Sequence, residues 1–220
     1  MVFELENVEL SFGEKNILYG VYLKAETGKV TGLLGSNGCG KTSLLKIFFG
    51  NLTANNQLIR VDGKGYLNKF YRTEMVRFLS QKNYLPPHIK FKSHFKLFKI
   101  DRAEFVEIFP KLALKENHRI AELSGGEKRL VETWLIIKSN AKLVLLDEPF
   151  THLDPIYIDI IKQEIFREKQ NKAFVVTDHL YREIQEIADD LYFLNKGCTK
   201  LITSPHQLEE LGYVNPEYTL

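Results

Sequence analysis

A chain of 220 residues suffices for one large domain and leaves little room for a second independent core. Apolar residues at 44% and charged residues at 26% match ordinary globular usage, which excludes wholesale disorder and fibrous repeats. Thirty basic against 28 acidic residues leave a net charge of +2, too small to point to nucleic acid, and no nucleic-acid partner is expected.

The longest stretch free of Lys, Arg, Asp and Glu is 47–59, interrupted by Gly50 and three asparagines. A membrane-spanning helix needs about 20 mainly apolar residues, so no crossing is expected. The first 20 residues carry four glutamates and one lysine, the reverse of a secretory signal, and the chain is expected to stay in the cytosol. Cys39 and Cys198 form neither a metal spacing nor a disulfide framework and are expected to be free thiols.

Apolar and polar residues alternate over 2–10 and partly again over 17–25, which predicts two antiparallel strands joined near Gly13. Residues 30–34 form a short apolar run entering a glycine-rich turn. Leu44, Leu45, Ile47 and Phe48 then recur at helical spacing over 41–49, before Gly50. Aliphatic runs at 143–146 and 173–176, each preceded by helical-looking segments, complete a buried parallel sheet, and the class is α/β. Between Gln81 and Leu123 the pattern changes. Pro86 and Pro87 break the chain, and Phe91, Phe95 and Phe98 fall at i, i+4 and i+7, so a small helical lobe is expected at about 82–122. Lys82, Lys90, Lys92, Lys96 and Lys99 give it a basic start, read first as the solvated face of an amphipathic helix and, in the alternative, as a docking surface beside a membrane or partner. Pro205, Pro216 and few apolar residues suit a loosely packed tail over 204–220, which receives no role.

The octet Gly35-Ser36-Asn37-Gly38-Cys39-Gly40-Lys41-Thr42 satisfies G-x-x-x-x-G-K-[ST], with a predicted strand before it and a helix after. A triphosphate must be wrapped by backbone N–H groups, and glycines let the main chain approach and turn with positive φ. Lys41 is expected to reach the β- and γ-phosphates, and the Thr42 hydroxyl to complete a Mg²⁺ shell. Amide dipoles around Cys39 are expected to favour its thiolate where it is accessible, so that alkylation blocks nucleotide binding; the plainer reading of Cys39 is a small filler of the turn. Asp147 and Glu148 stand where the strand 143–146 ends, and strand ends are where open α/β sheets collect ligands. Adjacent strand residues point to opposite sides, which assigns Asp147 to the magnesium ion and Glu148 to the attacking water.

Leu123-Ser124-Gly125-Gly126-Glu127, taken with the octet and the carboxylate pair, resembles the signature of ATP-binding-cassette (ABC) ATPases, in which Gln usually stands where Glu127 does. The resemblance covers nearly the whole chain. It implies a P-loop ATPase fold with a mixed sheet core, an N-terminal antiparallel β part and the inserted helical lobe, in one domain over 1–220. It makes Phe12 the adenine platform, Gln81 a catalytic and metal-contacting residue that joins nucleotide state to the lobe, Asp154 part of a dimer-facing loop, and His179 the catalytic switch near the γ-phosphate. Ser124, Gly125, Gly126 and Glu127 would face the ATP of an opposite subunit, which implies a head-to-tail homodimer with ATP and Mg²⁺ at two composite sites. The helix after the signature, 131–137, differs from the small-residue and arginine-bearing helix common in transporters. Residues 147–150, 154–156 and 177–179 are similar to lipopolysaccharide-export ATPases.

The function so implied is Mg-dependent ATP hydrolysis that energises separate transmembrane transporter subunits, at the cytoplasmic face of the inner or plasma membrane. The alternative is a soluble cassette such as the iron–sulfur assembly ATPase, which Ser124 to Arg129 also resemble. A GTPase switch is excluded, since Asn195-Lys196-Gly197-Cys198 lacks the final aspartate of the guanine-reading Asn-Lys-x-Asp.

Overall fold

The computed structural model describes residues 1–66, 69–204 and 206–213. Strands β1 (Val2–Phe12) and β2 (Lys15–Glu26) pair antiparallel through the turn at Gly13, and β3 (Val30–Leu34) leads into helix α1 (Lys41–Phe49), which Gly50 closes in a left-handed conformation. Strands β4 (Asn56–Val61), β5 (Lys64–Tyr66) and β6 (Val76–Leu79) follow. The helical lobe holds α2 (Phe91–Phe98), α3 (Ala103–Ile108) and α4 (Pro110–Ala113). Then come α5 (Gly125–Ile137), β7 (Leu143–Asp147), α6 (Pro155–Glu168), β8 (Ala173–Thr177), α7 (Tyr181–Ile187), β9 (Asp190–Asn195), β10 (Cys198–Ile202) and α8 (His206–Glu210).

These strands build two sheets. One is antiparallel, in the order β2-β1-β4-β5; the other is six-stranded and mixed, in the order β10-β9-β3-β8-β7-β6, with only the β9–β10 pair antiparallel. The aliphatic runs are continuous because the central strands are covered on both faces. Leu143 and Leu145 of β7 pack with α1 and the antiparallel sheet, whereas Val144 and Leu146 pack with α5 and the lobe. Alternate side chains thus feed two cores from one strand.

The lobe has no core of its own. Phe91, Phe95, Phe105 and Phe109 stack edge to face or tilted, and Phe105 and Phe109 lie 5.5 Å from the ring of Trp134 on α5. Trp134 is fully buried, so the lobe and the main sheet share one apolar body.

The expectation of a loosely packed tail is corrected over 206–213. Leu208 is 1% exposed, and the Tyr213 ring stands 4.9 Å from Phe193 and 6.3 Å from Tyr181, apolar and aromatic contacts that tie this segment to the sheet end. Pro205 and Pro216 lie outside the described residues. Among the described residues no helix is long and apolar enough to cross a membrane.

Candidate functional site

The ends of β3, β7 and β8 lie side by side in the sheet, so the loops that leave them meet at one edge. A cleft of 480 Å³ opens there, lined by Phe12, Ile17, Asn37, Gly38, Gly40, Lys41, Thr42, Ser43, Gln81, Glu148 and His179. Five separate segments of sequence contribute to it.

The phosphate-loop candidate is shaped by close approach. A Cβ on Gly35 would stand 2.5 Å from the carbonyl oxygen of Leu194 on β9, closer than any side chain tolerates. Lys41 is only 7% exposed, and its ammonium donates to the carbonyls of Gly35 at 2.6 Å and Ser36 at 3.1 Å. The loop thereby holds its own cation in place beside the open amides that precede α1. Ser36 belongs to the loop without lining the cleft.

Cys39 does not line the cleft. Its sulfur packs toward Gly35 beneath the loop and lines a separate shallow pocket with Lys15, Asn16, Tyr19, Lys196 and Gly197. The thiol therefore stands on the side of the loop away from the cleft, half-buried against Gly35. Both cysteines are free thiols.

Asp147 is 1% exposed, and burial, reinforced by the neighbouring Glu148 charge, pushes its pKa up to about 6. The Thr42 hydroxyl lies near enough to oppose that rise, yet not in hydrogen-bond geometry, so both carboxylate oxygens are buried without a donor. An orphaned pair of hard oxygens beside a hydroxyl fits a small divalent cation such as Mg²⁺, which these two residues would hold.

The pleat argument for Glu148 is corrected. Strand β7 ends at Asp147, and Glu148 has φ 56°, a left-handed conformation, with its N–H donating to Thr177 at 2.7 Å. That turn, rather than strand alternation, swings the carboxylate into the cleft. There its Oε1 accepts from the Gln81 amide at 2.7 Å and lies 2.5 Å from His179 Nε2, and its Oε2 lies 3.5 Å from the Thr151 hydroxyl.

Phe12 is 55% exposed at the cleft rim, which removes it from the core and leaves a free aromatic face. Asp154 is exposed at the N-cap position of α6, followed by Pro155, but its side chain makes no capping bond.

None of the signature residues lines the cleft that holds Lys41. Ser124 caps α5: its Oγ accepts from the Glu127 N–H at 3.2 Å, and the Glu127 carboxylate accepts from the Ser124 N–H at 2.8 Å. Glu127 also pairs with Lys115 at 2.6 Å, so its carboxylate serves the lobe and does not enter the cleft. Gly125 lines a neighbouring cavity of 400 Å³ that shares Gln81 and Glu148 with the cleft. A Cβ on Gly126 would meet the His152 carbonyl at 2.5 Å.

Two site residues escaped the sequence reading. Arg129, 4% exposed, donates to the carbonyls of Ser80 at 2.6 Å and Glu148 at 2.8 and 3.1 Å, and also to that of Asp147. Burial pulls its pKa down, and the surrounding carboxylates oppose that. Its sequence signal was an arginine opening an otherwise apolar helical run. Asp178 accepts from the N–H groups of Phe150 at 3.0 Å and Leu180 at 3.1 Å, which holds the turn of Glu148 against the turn of His179.

Comparison with known proteins gives one direction. The protein-family model described as "ABC transporter" matches residues 18–151. The chain is 27% identical to the lipopolysaccharide export system ATP-binding protein LptB of Haemophilus influenzae, with 94% of this chain and 92% of that protein covered. It is 28% identical to the spermidine/putrescine import ATP-binding protein PotA of Mycoplasma capricolum, with 98% of this chain covered, but it spans only 64% of that relative's length. A solved structure titled as an ATP-binding subunit of an ABC transporter superposes with a TM-score of 0.80 at 19% identity, over 97% of this chain and 94% of that one, which shows the shared fold.

Proposed function

This chain belongs to the ABC transporter family, and from that premise we propose that it is the ATP-binding and ATP-hydrolysing subunit that energises separate transmembrane chains from the cytoplasmic face of a membrane. The observation that carries the reading is the convergence of Lys41, Thr42, Asp147, Glu148, Gln81 and His179 on one cleft edge. Relatives named as import and as export subunits, PotA and LptB among them, favour a transporter over a soluble assembly ATPase and leave the cargo open.

Phe12 would receive the adenine on its exposed face, and the amides of residues 35–42 would wrap the phosphates. Lys41 would exchange the carbonyls of Gly35 and Ser36 for phosphate oxygens, gaining charge-assisted bonds. A divalent cation between Thr42 and Asp147 would neutralise phosphate charge. Glu148 would accept the proton of the attacking water once Gln81 and His179 turn from its Oε1 toward the γ-phosphate.

If Asp147 holds the cation, protons compete for the same carboxylate. Its raised pKa means it is charged only above about pH 6. The expected outcome is apparent Mg²⁺ affinity falling by up to about tenfold per pH unit below that point. Magnesium titrations of a fluorescent nucleotide complex from pH 5 to 8 check this, and a flat profile removes Asp147 from the metal shell. The folded state shows the converse: burial of the charge destabilises it above about pH 6, and the penalty fades as pH falls toward the ordinary value of 3.8.

Ser124 and Gly125 are exposed, and the start of α5 offers unused amides to an anion. We therefore assign them, with Asp154, to a second copy's nucleotide, each ATP bridging two chains. Sedimentation of the Glu148→Gln variant with saturating Mg-ATP should give a dimer boundary that collapses when nucleotide is removed. A boundary that stays at one chain's mass rejects the composite site.

A further inference from the structure

Glu132 lies in the middle of α5 with no exposed surface. A buried carboxylate is costly unless donors meet it, and at such a position an apolar side chain of similar volume is often neutral or stabilising. The donors here are main-chain groups of another element: Oε1 accepts from the N–H of Tyr84 at 2.9 Å and of Leu85 at 3.2 Å. Oε2 has no donor, and the nearest cation, Arg129 Nη1, stands 4.0 Å away. That guanidinium is committed instead to the carbonyl of Ser80 at 2.6 Å and to the backbone of 147–148.

Two side chains one helical turn apart thus grip the segment 80–85 on both sides of Gln81, Arg129 before it and Glu132 after it. The same helix begins at the exposed tip of Ser124 and Gly125, and its Arg129 also fixes the carbonyl of Glu148. An α-helix three and a half turns long moves as one body. We propose that Glu132 is a positioning residue which, through the amides of Tyr84 and Leu85, fixes the Gln81 loop to α5, so that displacement of the Ser124 tip changes where Gln81 stands against Glu148. This rests on the ATPase reading above and supplies the physical joint that reading needs between the lobe and the cleft. Burial raises the pKa of Glu132 while the two amides oppose the rise, in keeping with a carboxylate held for those donors.

The test compares Glu132→Ala and Glu132→Gln in the full chain. In the alanine variant calorimetric Mg-ATP affinity should match the parent's, because the loop of residues 35–42 is untouched, while kcat falls by about 100-fold from misplacement of Gln81. The glutamine variant retains an amide oxygen for both N–H groups and should restore kcat. Hydrogen exchange should quicken at residues 81–85 in the alanine variant, with the interior amides of α5 still protected. Glu132→Leu keeps the volume and replaces the alanine variant if that one fails to fold. Unchanged kcat with unchanged exchange at 81–85 overturns the proposal, as does a loss of nucleotide affinity equal to the loss of kcat. A parent chain without turnover rejects the ATPase reading instead, and the exchange result alone then decides Glu132.

Discussion

Replacement of Glu148 by glutamine is expected to leave Mg-ATP bound and to lower turnover by about 10²- to 10⁴-fold, the range that a positioned general base contributes. The amide keeps the shape of the side chain and its hydrogen bonds toward Gln81 and Thr151, but it cannot take a proton from water. Lys41, Thr42 and Asp147 are untouched, so nucleotide affinity should hold. Phosphate release measured beside calorimetric binding separates the two effects. Full activity in this variant removes Glu148 from the chemistry and leaves the left-handed turn at 148 without a purpose.

Lys41→Ala is expected to act earlier, on binding itself. The ammonium is nearly buried and already hydrogen-bonded to main-chain carbonyls, so little reorganisation separates its resting place from a phosphate. Two charge-assisted contacts at about 1.5–3 kcal/mol each imply a loss of roughly 10²- to 10⁴-fold in ATP affinity. The substitution also strips the Gly35 and Ser36 carbonyls of their donor, so circular dichroism must show a folded chain before the loss is read. Affinity within a few fold of the parent's would mean that the backbone amides alone hold the triphosphate, and that Lys41 serves the loop rather than the ligand.

Much of this architecture was legible because short-range chemistry dictates it. The glycine octet can only be a tight turn, the runs at 143–146 and 173–176 can only be doubly buried, and Phe91, Phe95 and Phe98 mark one helix face. What escaped depends on backbone angles and on distant partners. Nothing in Leu146-Asp147-Glu148-Pro149 announces that the strand stops one residue before Glu148, since a left-handed φ on a glutamate is set by its surroundings. Arg129 and Glu132 read as a charged intrusion into an apolar helix, because their partners are distant main-chain atoms, at 80–85 for both and also at 147–148 for Arg129. Cys39 was legible as a small filler of the loop, whereas Tyr213 gave no hint of its stack on Phe193.

The conformation of Glu148 has a consequence for anyone breeding sturdier versions of this protein. A non-glycine residue at φ 56° sits in a region that costs L-amino acids about 1–2 kcal/mol. Glycine or asparagine at 148 would relax the main chain and discard the carboxylate in the same stroke. Selection for heat resistance alone therefore leads away from a working ATPase, and a rising melting temperature at this position marks lost chemistry rather than improved design.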